Sequence, residues 1–339
     1  MFIEEVDINS IEIEYVKYFL NKFNLSYDKD IDHTIVLKHN GEIIGTVSSS
    51  KKVIKCFAVD ERFQGIGIAA ELLTYITNLL FDLGIYETFI FTKTKNVSIF
   101  MGLGYRELCR GEDISFLEGG RANIESYTNA MFKKSGLLNG KKAALVMNCN
   151  PFTLGHRYIV EKAAAENEEV VLFIVEEDMS VFPFDVRMAL VKKGVEDLKN
   201  VAVLPGGEYI ISKSTFPTYF IKQEDERLYS YTRLDAYLFG RYIAPVFNIK
   251  KRYVGTEDNC NVTNNYNQAL MEVLPPLGVD VKLIDRLYID GEIVSASRVR
   301  KAIKEGNISD IKKFVPDSTY DLLNTKKGAE IIKRIKGKD

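Results

Sequence analysis

Histidine and cysteine are scarce in this chain, and their scarcity removes several kinds of chemistry at once. The 339 residues include three histidines and four cysteines. Cys56, Cys109, Cys149 and Cys260 are dispersed and form no CxxC pair, so neither a zinc knuckle nor a disulfide framework is expected. A His/Cys metal site is equally unexpected. The opening residues, MFIEEVDINS, lack both a basic leader and the apolar segment of a signal peptide. No uninterrupted apolar run approaches the roughly 20 residues that a bilayer-spanning helix needs. These absences point to a reducing cytoplasm and no membrane partner. Lysine and arginine number 45 against 47 acidic residues, for a net charge of -2, so no overall basic field recruits nucleic acid. Small ligands or a protein partner remain.

What is present reads as an ordinary globular composition, 46% hydrophobic and 27% charged, with length enough for two domains. The first half opens on a helical pattern from Ile11 to Phe23. Strand-like runs follow at Thr34 to Leu37, Ile43 to Ser48 and Val53 to Val59. A helix is expected from about Ile66 to Phe81, then a strand from Tyr86 to Phe91, a short helix near Ser98 and a strand at Tyr105. Charge and glycine in KKSGLLNGK place a hinge near Lys133 to Lys141. Beyond it the rhythm changes. Ala143 to Met147 and Val170 to Val175 are short apolar runs, as expected of strands buried on both faces. A helix over Val186 to Leu198, a strand over Val201 to Leu204, and helices near Leu234 and Asn265 follow. The expectation is an α+β domain over residues 1–135, then an α/β domain over 136–339 with a doubly wound, Rossmann-like parallel sheet and C-terminal helices. The basic tail from Lys326 to Lys338 reads as a solvated terminal helix.

Chemistry concentrates at two strand–helix junctions of the second half. After Ala143–Met147 comes NCNPFTLGHRYIVEKA, so a helix begins just past a turn. Its unpaired backbone N–H groups suit a phosphate. Asn150, Pro151 and Phe152 form the turn, which Pro151 stiffens, and Gly155 admits close approach of a ligand. Thr153 and His156, three apart, offer a hydroxyl and an imidazole to oxygens that gain charge during displacement at phosphorus. The second junction is VSASRVR. Ser295 and Ser297 supply hydroxyls, a helix starting near Ser297 supplies amides, and Arg300 supplies a forked cation for β- and γ-phosphates. A Gly-His pair or a Ser-x-Ser can simply cap a helix. Their occurrence in order, each at a strand–helix junction, points to nucleotide chemistry in the crevice where open α/β sheets bind ligands. Between the motifs, Arg187, Lys213, Lys222 and Glu257 either reach a ligand or form ordinary ion pairs.

NPFTLGH resembles the (H/T)xGH signature of the nucleotidyltransferase superfamily, and VSASRVR resembles its ISSTxxR signature. Thr153 stands where many members carry a first histidine, as in phosphopantetheine adenylyltransferases. In the first half, CFAVDERFQGIGIAAELL contains R-x-x-G-x-G at Arg62, Gly65 and Gly67, whose successive amides can form a pyrophosphate nest. With NVSIFMGLGYRE, where Asn96 and Gly104 fall at matching places, this resembles GCN5-related N-acetyltransferases and implies an acetyltransferase-like fold. Many members of that family carry a tyrosine where this chain has Phe100, and phenylalanine cannot protonate a departing thiolate. The domain therefore reads as a binder of a coenzyme A-like arm, with Tyr105 as a possible substitute acid.

The pairing of these domains, with NPFTLGHRYIVE, STFPTYF and VSASRVRKAI, resembles the citrate lyase ligase family over nearly the whole chain. The resemblance implies an enzyme that uses ATP and Mg²⁺ to activate acetate as acetyl-adenylate. It then acetylates the thiol of a coenzyme A-like group on the acyl carrier subunit of citrate lyase, releasing AMP and diphosphate. Thr153, His156 and Arg300 are the expected catalytic residues, with the metal carried by the triphosphate. An adenylyltransferase acting on phosphopantetheine or a mononucleotide, a plain acetyltransferase, and a non-catalytic nucleotide-binding scaffold are the alternatives.

Overall fold

β-branched and aromatic residues fill the strand runs of the first unit, as a pleated, half-buried surface favours. The computed structural model describes residues 1–176, 180–210, 224–256 and 261–337. Strands β1 (Phe2–Val6), β2 (His33–His39), β3 (Glu42–Ser50) and β4 (Val53–Val59) pair antiparallel in succession. β5 (Glu87–Lys93) lies parallel to β4, and β7 (Ile114–Gly120) and β6 (Arg106–Arg110) extend the sheet antiparallel beyond it. Helices α1 (Glu12–Asn21), α2 (Ile68–Asp82) and α3 (Val97–Met101) join this sheet, and residues 224–234 group with the same unit. α2 buries Ile68, Leu72, Leu73, Ile76 and Leu80, a single helical face. It lies close on the sheet because Gly45 has no side chain: a Cβ there would stand 2.8 Å from Leu72.

Two features of this sheet prepare a cavity. β4 carries an extra residue opposite Thr46–Ser48, at Cys56 with φ +51. β4 and β5 are laddered at Val53–Phe89 and Ile54–Ile90 alone among the described residues. Past Ile54 their facing edges separate, and a cavity of about 810 Å³ opens, lined by Phe57, Val59, Thr92 and Lys93 among others.

The second unit is built on β8 (Lys142–Met147), β9 (Val170–Ile174), β10 (Val201–Pro205), β11 (Ile249–Gly255) and β12 (Asp280–Ile284). These strands are all parallel, in the order β10-β9-β8-β11-β12. The chain therefore winds outward from β8 to one edge and then crosses to the other side, leaving a topological switch between β8 and β11. Both faces are covered. Ala143, Leu145, Val170, Leu172 and Ile174 enter one core, whereas Ala144, Val171 and Phe173 enter the other. That double burial is why β8 and β9 read as unbroken apolar runs. Helices α4 (Ile124–Ser135), α5 (Leu154–Glu166), α6 (Phe184–Gly194), α7 (Glu224–Leu238), α8 (Ala244–Phe247), α9 (Asn261–Val273), α10 (Ala296–Glu305), α11 (Asp317–Leu323) and α12 (Lys326–Gly337) follow, with a small hairpin of β13 (Tyr288–Ile289) and β14 (Glu292–Ile293) before α10.

Contacts separate the first unit, residues 1–127 with 224–234, from the described residues of 128–210 and 235–337. The break falls inside α4, between Tyr127 and Thr128. Lys133 and Lys134, expected in a hinge, form the last turn of that helix, and Gly136 at φ +69 follows its end. β11 and β12 lie outside the expected strands. Lys250, Lys251 and Arg252 interrupt the apolar pattern of the first, and Asp280, Lys282 and Leu283 are exposed on the second.

Arg187, a candidate ligand contact from sequence, is instead fully buried in α6. Its Nε donates to the Phe182 carbonyl at 3.0 Å, and Nη1 donates to the carbonyls of Asn148 at 2.7 Å and Val175 at 2.8 Å. It thus pins the chain just past the ends of β8 and β9. Arg187→Met would leave buried carbonyls without donors, at a cost of about 3 kcal/mol or more. The expected result is a clearly lowered urea midpoint, and an unchanged midpoint would remove this structural role.

Candidate functional site

β8 ends at Met147, and the turn that follows includes a cis peptide between Asn150 and Pro151. Thr153, extended at φ -123 and ψ 166, is the N-cap of α5. Its Oγ1 accepts from the His156 amide at 3.3 Å, and its own N–H donates to His156 Nδ1 at 3.1 Å. This reciprocal capping box decides the imidazole tautomer. Because Nδ1 accepts, the neutral ring carries its proton on Nε2 and keeps one donor for a ligand. Phe152, fully buried, stacks on the same ring with centroids 6.0 Å apart and planes 18° apart. Burial first, then the nearby charges of Arg286 and Arg300, push the His156 pKa down to about 4. At neutral pH the group is an uncharged N–H donor.

The second motif meets the first. Ser295 caps α10, accepting from the Arg298 amide at 3.2 Å. Arg300, one turn further, donates through Nη1 to the Asn150 carbonyl at 2.5 Å and through Nη2 to Ser297 Oγ at 3.1 Å. The turns also touch at Gly155, where a Cβ would lie 2.7 Å from the Val294 carbonyl. Arg286 adds a second cation, its Nε donating to the carbonyl of Thr256, the residue after β11. Burial lowers the pKa of both arginines, yet a guanidinium keeps its charge at any physiological pH. A neutral donor, two cations and two helix starts thus gather at the C-terminal ends of β8 and β11, a constellation suited to a polyphosphate.

Several expected roles change on this geometry. Thr153 is 1% exposed, and its hydroxyl and amide are both bonded to His156, so it orients the imidazole. Gly155 serves packing against Val294, since the space its missing side chain leaves is filled by that carbonyl. Pro151 and Phe152 are buried, and Asn150 is engaged through its carbonyl to Arg300 and through Oδ1 to the Phe182 amide. Of the α5 amides expected to face a phosphate, Leu154 donates to the Phe314 carbonyl and His156 to Thr153. Positive charge therefore comes chiefly from Arg300 and Arg286. Sequence reasoning passes over Arg286 because it stands alone in IDRLYID, with no motif around it. Ser297 is exposed beside Arg300. Lys213, Lys222, Glu257, Cys260 and the STFPTYF segment lie outside the described residues.

In the first unit, Gly65 and Gly67 line the cavity at φ +81 and +92, with open space where side chains would be. Both are conformations that glycine adopts freely. Asn96 lines the same cavity. Arg62 does not: its guanidinium is exposed, held by Asp60 at 2.8 Å, and lies over the Phe63 ring. Phe100 forms part of the wall, edge-on to Phe57. Tyr105, the alternative acid from sequence, keeps its hydroxyl bonded to Thr88 Oγ1 at 2.6 Å inside the core, where burial pushes its pKa up to about 12. The ionisable wall residues are Glu61, Lys93 and Lys95.

The depressed His156 value carries a pH prediction. A folded-state pKa of about 4, below the usual imidazole value near 6.5, favours the neutral ring. Its contribution to stability is complete above about pH 6.5 and is lost as pH falls towards 4. Imidazole NMR of the ligand-free protein should show an Nε2–H tautomer titrating with a midpoint near 4. A midpoint in the ordinary range would mean that the capping box does not hold the ring.

Known families match both units. The family described as "Citrate lyase ligase C-terminal domain" matches residues 142–323, and "Acetyltransferase (GNAT) family" matches residues 6–99. The [citrate [pro-3S]-lyase] ligase of Klebsiella pneumoniae is 35% identical over 317 residues, 91% of this chain and 92% of its own length. That of Escherichia coli K12 is 35% identical over 316 residues, 91% and 89% of the two chains. That of Haemophilus influenzae is 33% identical over 331 residues, 95% and 98%. With a tautomer-locked TxGH histidine facing the arginine of a Ser-x-Ser helix, and such identity along nearly its full length, this chain belongs to the [citrate (pro-3S)-lyase] ligase family.

Proposed function

We propose that the second unit binds ATP in the crevice between β8 and β11 and activates acetate as acetyl-adenylate. The acetyl group then passes to the thiol of a coenzyme A-like arm on the acyl carrier subunit of citrate lyase. The observation that carries this reading is the Nε2–H of His156 held beside Arg286 and Arg300. One neutral donor and two cations suit a triphosphate whose inner phosphorus is attacked while the outer two depart.

In the first step an acetate oxygen attacks the α-phosphorus, and the bond from that phosphorus to the β-bridging oxygen breaks. Pyrophosphate leaves with the electron pair. Charge moves outward, towards Arg300, Arg286 and the hydroxyls of Ser295 and Ser297, which meet it with charge-assisted hydrogen bonds. His156 donates to an α-phosphate oxygen that grows more negative in the transition state. A neutral donor is fitted to that place because it need not surrender a proton. Thr153 keeps the Nε2–H directed at that oxygen. In the second step the thiol sulfur attacks the acyl carbonyl, the carbon–oxygen bond to phosphate breaks, AMP leaves, and the thiol proton goes to water.

Among the described residues no three His, Cys, Asp or Glu side chains gather as a metal site. Mg²⁺ suits this donor set as the counterion of the triphosphate, where it would neutralise phosphate charge. In the first unit, Gly65, Gly67 and Asn96 would cradle the pyrophosphate of the carrier's arm, with Lys93 and Lys95 at the wall. Since Phe100 and the buried Tyr105 hydroxyl offer no acid, that unit binds the arm and leaves acyl transfer to the adenylate's own leaving group.

The direct test mixes the protein with Mg-ATP, acetate and deacetylated lyase. AMP and pyrophosphate should form together with regained lyase activity. Pyrophosphate–ATP exchange that needs a phosphate acceptor instead of acetate would favour an adenylyltransferase. His156→Ala should lower kcat by about 10²–10³-fold with its fold intact, the usual loss for a charge-stabilising donor. Unchanged turnover would remove His156 from the reaction. Replacing Gly65 and Gly67 by aspartate should raise KM for the carrier while acetate-dependent hydroxamate formation with hydroxylamine continues. Normal carrier acetylation at low carrier concentration would exclude this cavity as the arm's site.

A further inference from the structure

Charge is distributed unevenly along this chain. Residues 296–337 hold eleven Lys and Arg against five Asp and Glu, a net +6, which leaves -8 on the remainder. Much of that excess lies on α12. Its Gly328, Ile331 and Ile335 are buried, and the two isoleucines enter the same core as Leu145 and Phe152. A Cβ on Gly328 would stand 2.2 Å from the Leu322 carbonyl, so α12 is seated tightly on the end of α11. The opposite face carries Lys326, Lys327, Lys333, Arg334 and Lys336, all exposed.

A merely solvated helix face mixes both signs in pairs three or four apart. Elsewhere this protein does so: Lys17 with Glu14, Arg157 with Glu161 and Lys193 with Glu196. α12 departs from that pattern. Lys327 pairs with Asp185 of α6 at 3.7 Å. Glu330, the lone acid on the helix, stands three or four residues from Lys326, Lys327, Lys333 and Arg334, yet among the described residues it forms an ion pair with none of them, so five cations stand against one carboxylate. Four cations without an ion pair, spread over about 15 Å of helix, exceed what a small anion can span. α12 also packs against α10, the helix whose first turn carries Ser297 and Arg300.

We propose that the basic face of α12 is the docking surface for an acidic face of the carrier subunit, an inference that rests on the proposed function. A cationic helix on the unit that carries the nucleotide site would capture and orient a small acidic protein by electrostatic steering. A protein suits this face better than nucleic acid, because a long polyanion would also meet the negative remainder of the chain, whereas a compact partner needs no more than the length of α12.

The test replaces Lys333, Arg334 and Lys336 together by glutamate, with a second variant carrying glutamine at all three. None of these residues belongs to the catalytic or binding machinery. Acetate-dependent hydroxamate formation and KM for ATP should be unchanged, which also shows that the proposed chemistry is intact. KM for deacetylated lyase should rise about 10-fold or more for the glutamate variant and less for the glutamine variant, and its dependence on salt should weaken. Unchanged KM for the lyase with its salt dependence retained in both variants overturns the proposal. So does loss of retention on duplex DNA with carrier kinetics unaltered. Absence of hydroxamate formation in the unmodified protein would instead refute the proposed reaction, and direct titration of lyase binding to the variants would still decide the docking surface.

Discussion

The hydrogen bond from Arg300 to the Asn150 carbonyl joins two segments separated by 150 residues, and the candidate site depends on it. It fastens the first turn of α10 to the turn before α5, so that two helix starts from distant parts of the chain open on one crevice. A charged donor on a half-buried carbonyl is worth about 1.5–3 kcal/mol, enough to hold the register of the two motifs. The contact of Gly155 with the Val294 carbonyl reinforces it, since any larger residue would drive the helices apart. Arg300 therefore both assembles the site and leaves part of its fork beside Ser297 for a ligand.

His156 shows how a local helix device becomes chemistry. In many helices a capping box does no more than satisfy backbone donors. Here the N3 residue is a histidine, and the Thr153 amide that donates to Nδ1 also determines which nitrogen bears the proton. Burial disfavours protonation of the ring, and the two arginines nearby make a third positive charge there more unfavourable still. The result is a neutral donor flanked by permanent cations. Such an arrangement separates hydrogen bonding from charge neutralisation.

The first unit separates binding from catalysis in another way. Splayed β4 and β5 and the glycine turn make a cavity whose wall carries Phe100. The nearby Tyr105 hydroxyl is turned into the core towards Thr88. The glycine turn thus borders the cavity with open space, while neither Phe100 nor the core-bonded Tyr105 presents a free hydroxyl to it.

Much of this was legible in the residues. Unbroken apolar runs at Ala143–Met147 and Val170–Val175 marked strands buried on both faces, and the turns at the two motifs placed helix starts near Gly155 and Ser297, within two residues of those of α5 and α10. Those signals are local, governed by strand burial and by helix capping, so order along the chain was enough to read them. Tertiary structure alone decided the rest. β11 was hidden because Arg252 is buried within it, and Arg286 had no surrounding motif. The duties of Gly155 and Arg187 followed from carbonyls brought up by other elements. A sequence shows which donors and cations exist; whether each is spent on the protein or left for a ligand depends on partners that only folding brings within reach.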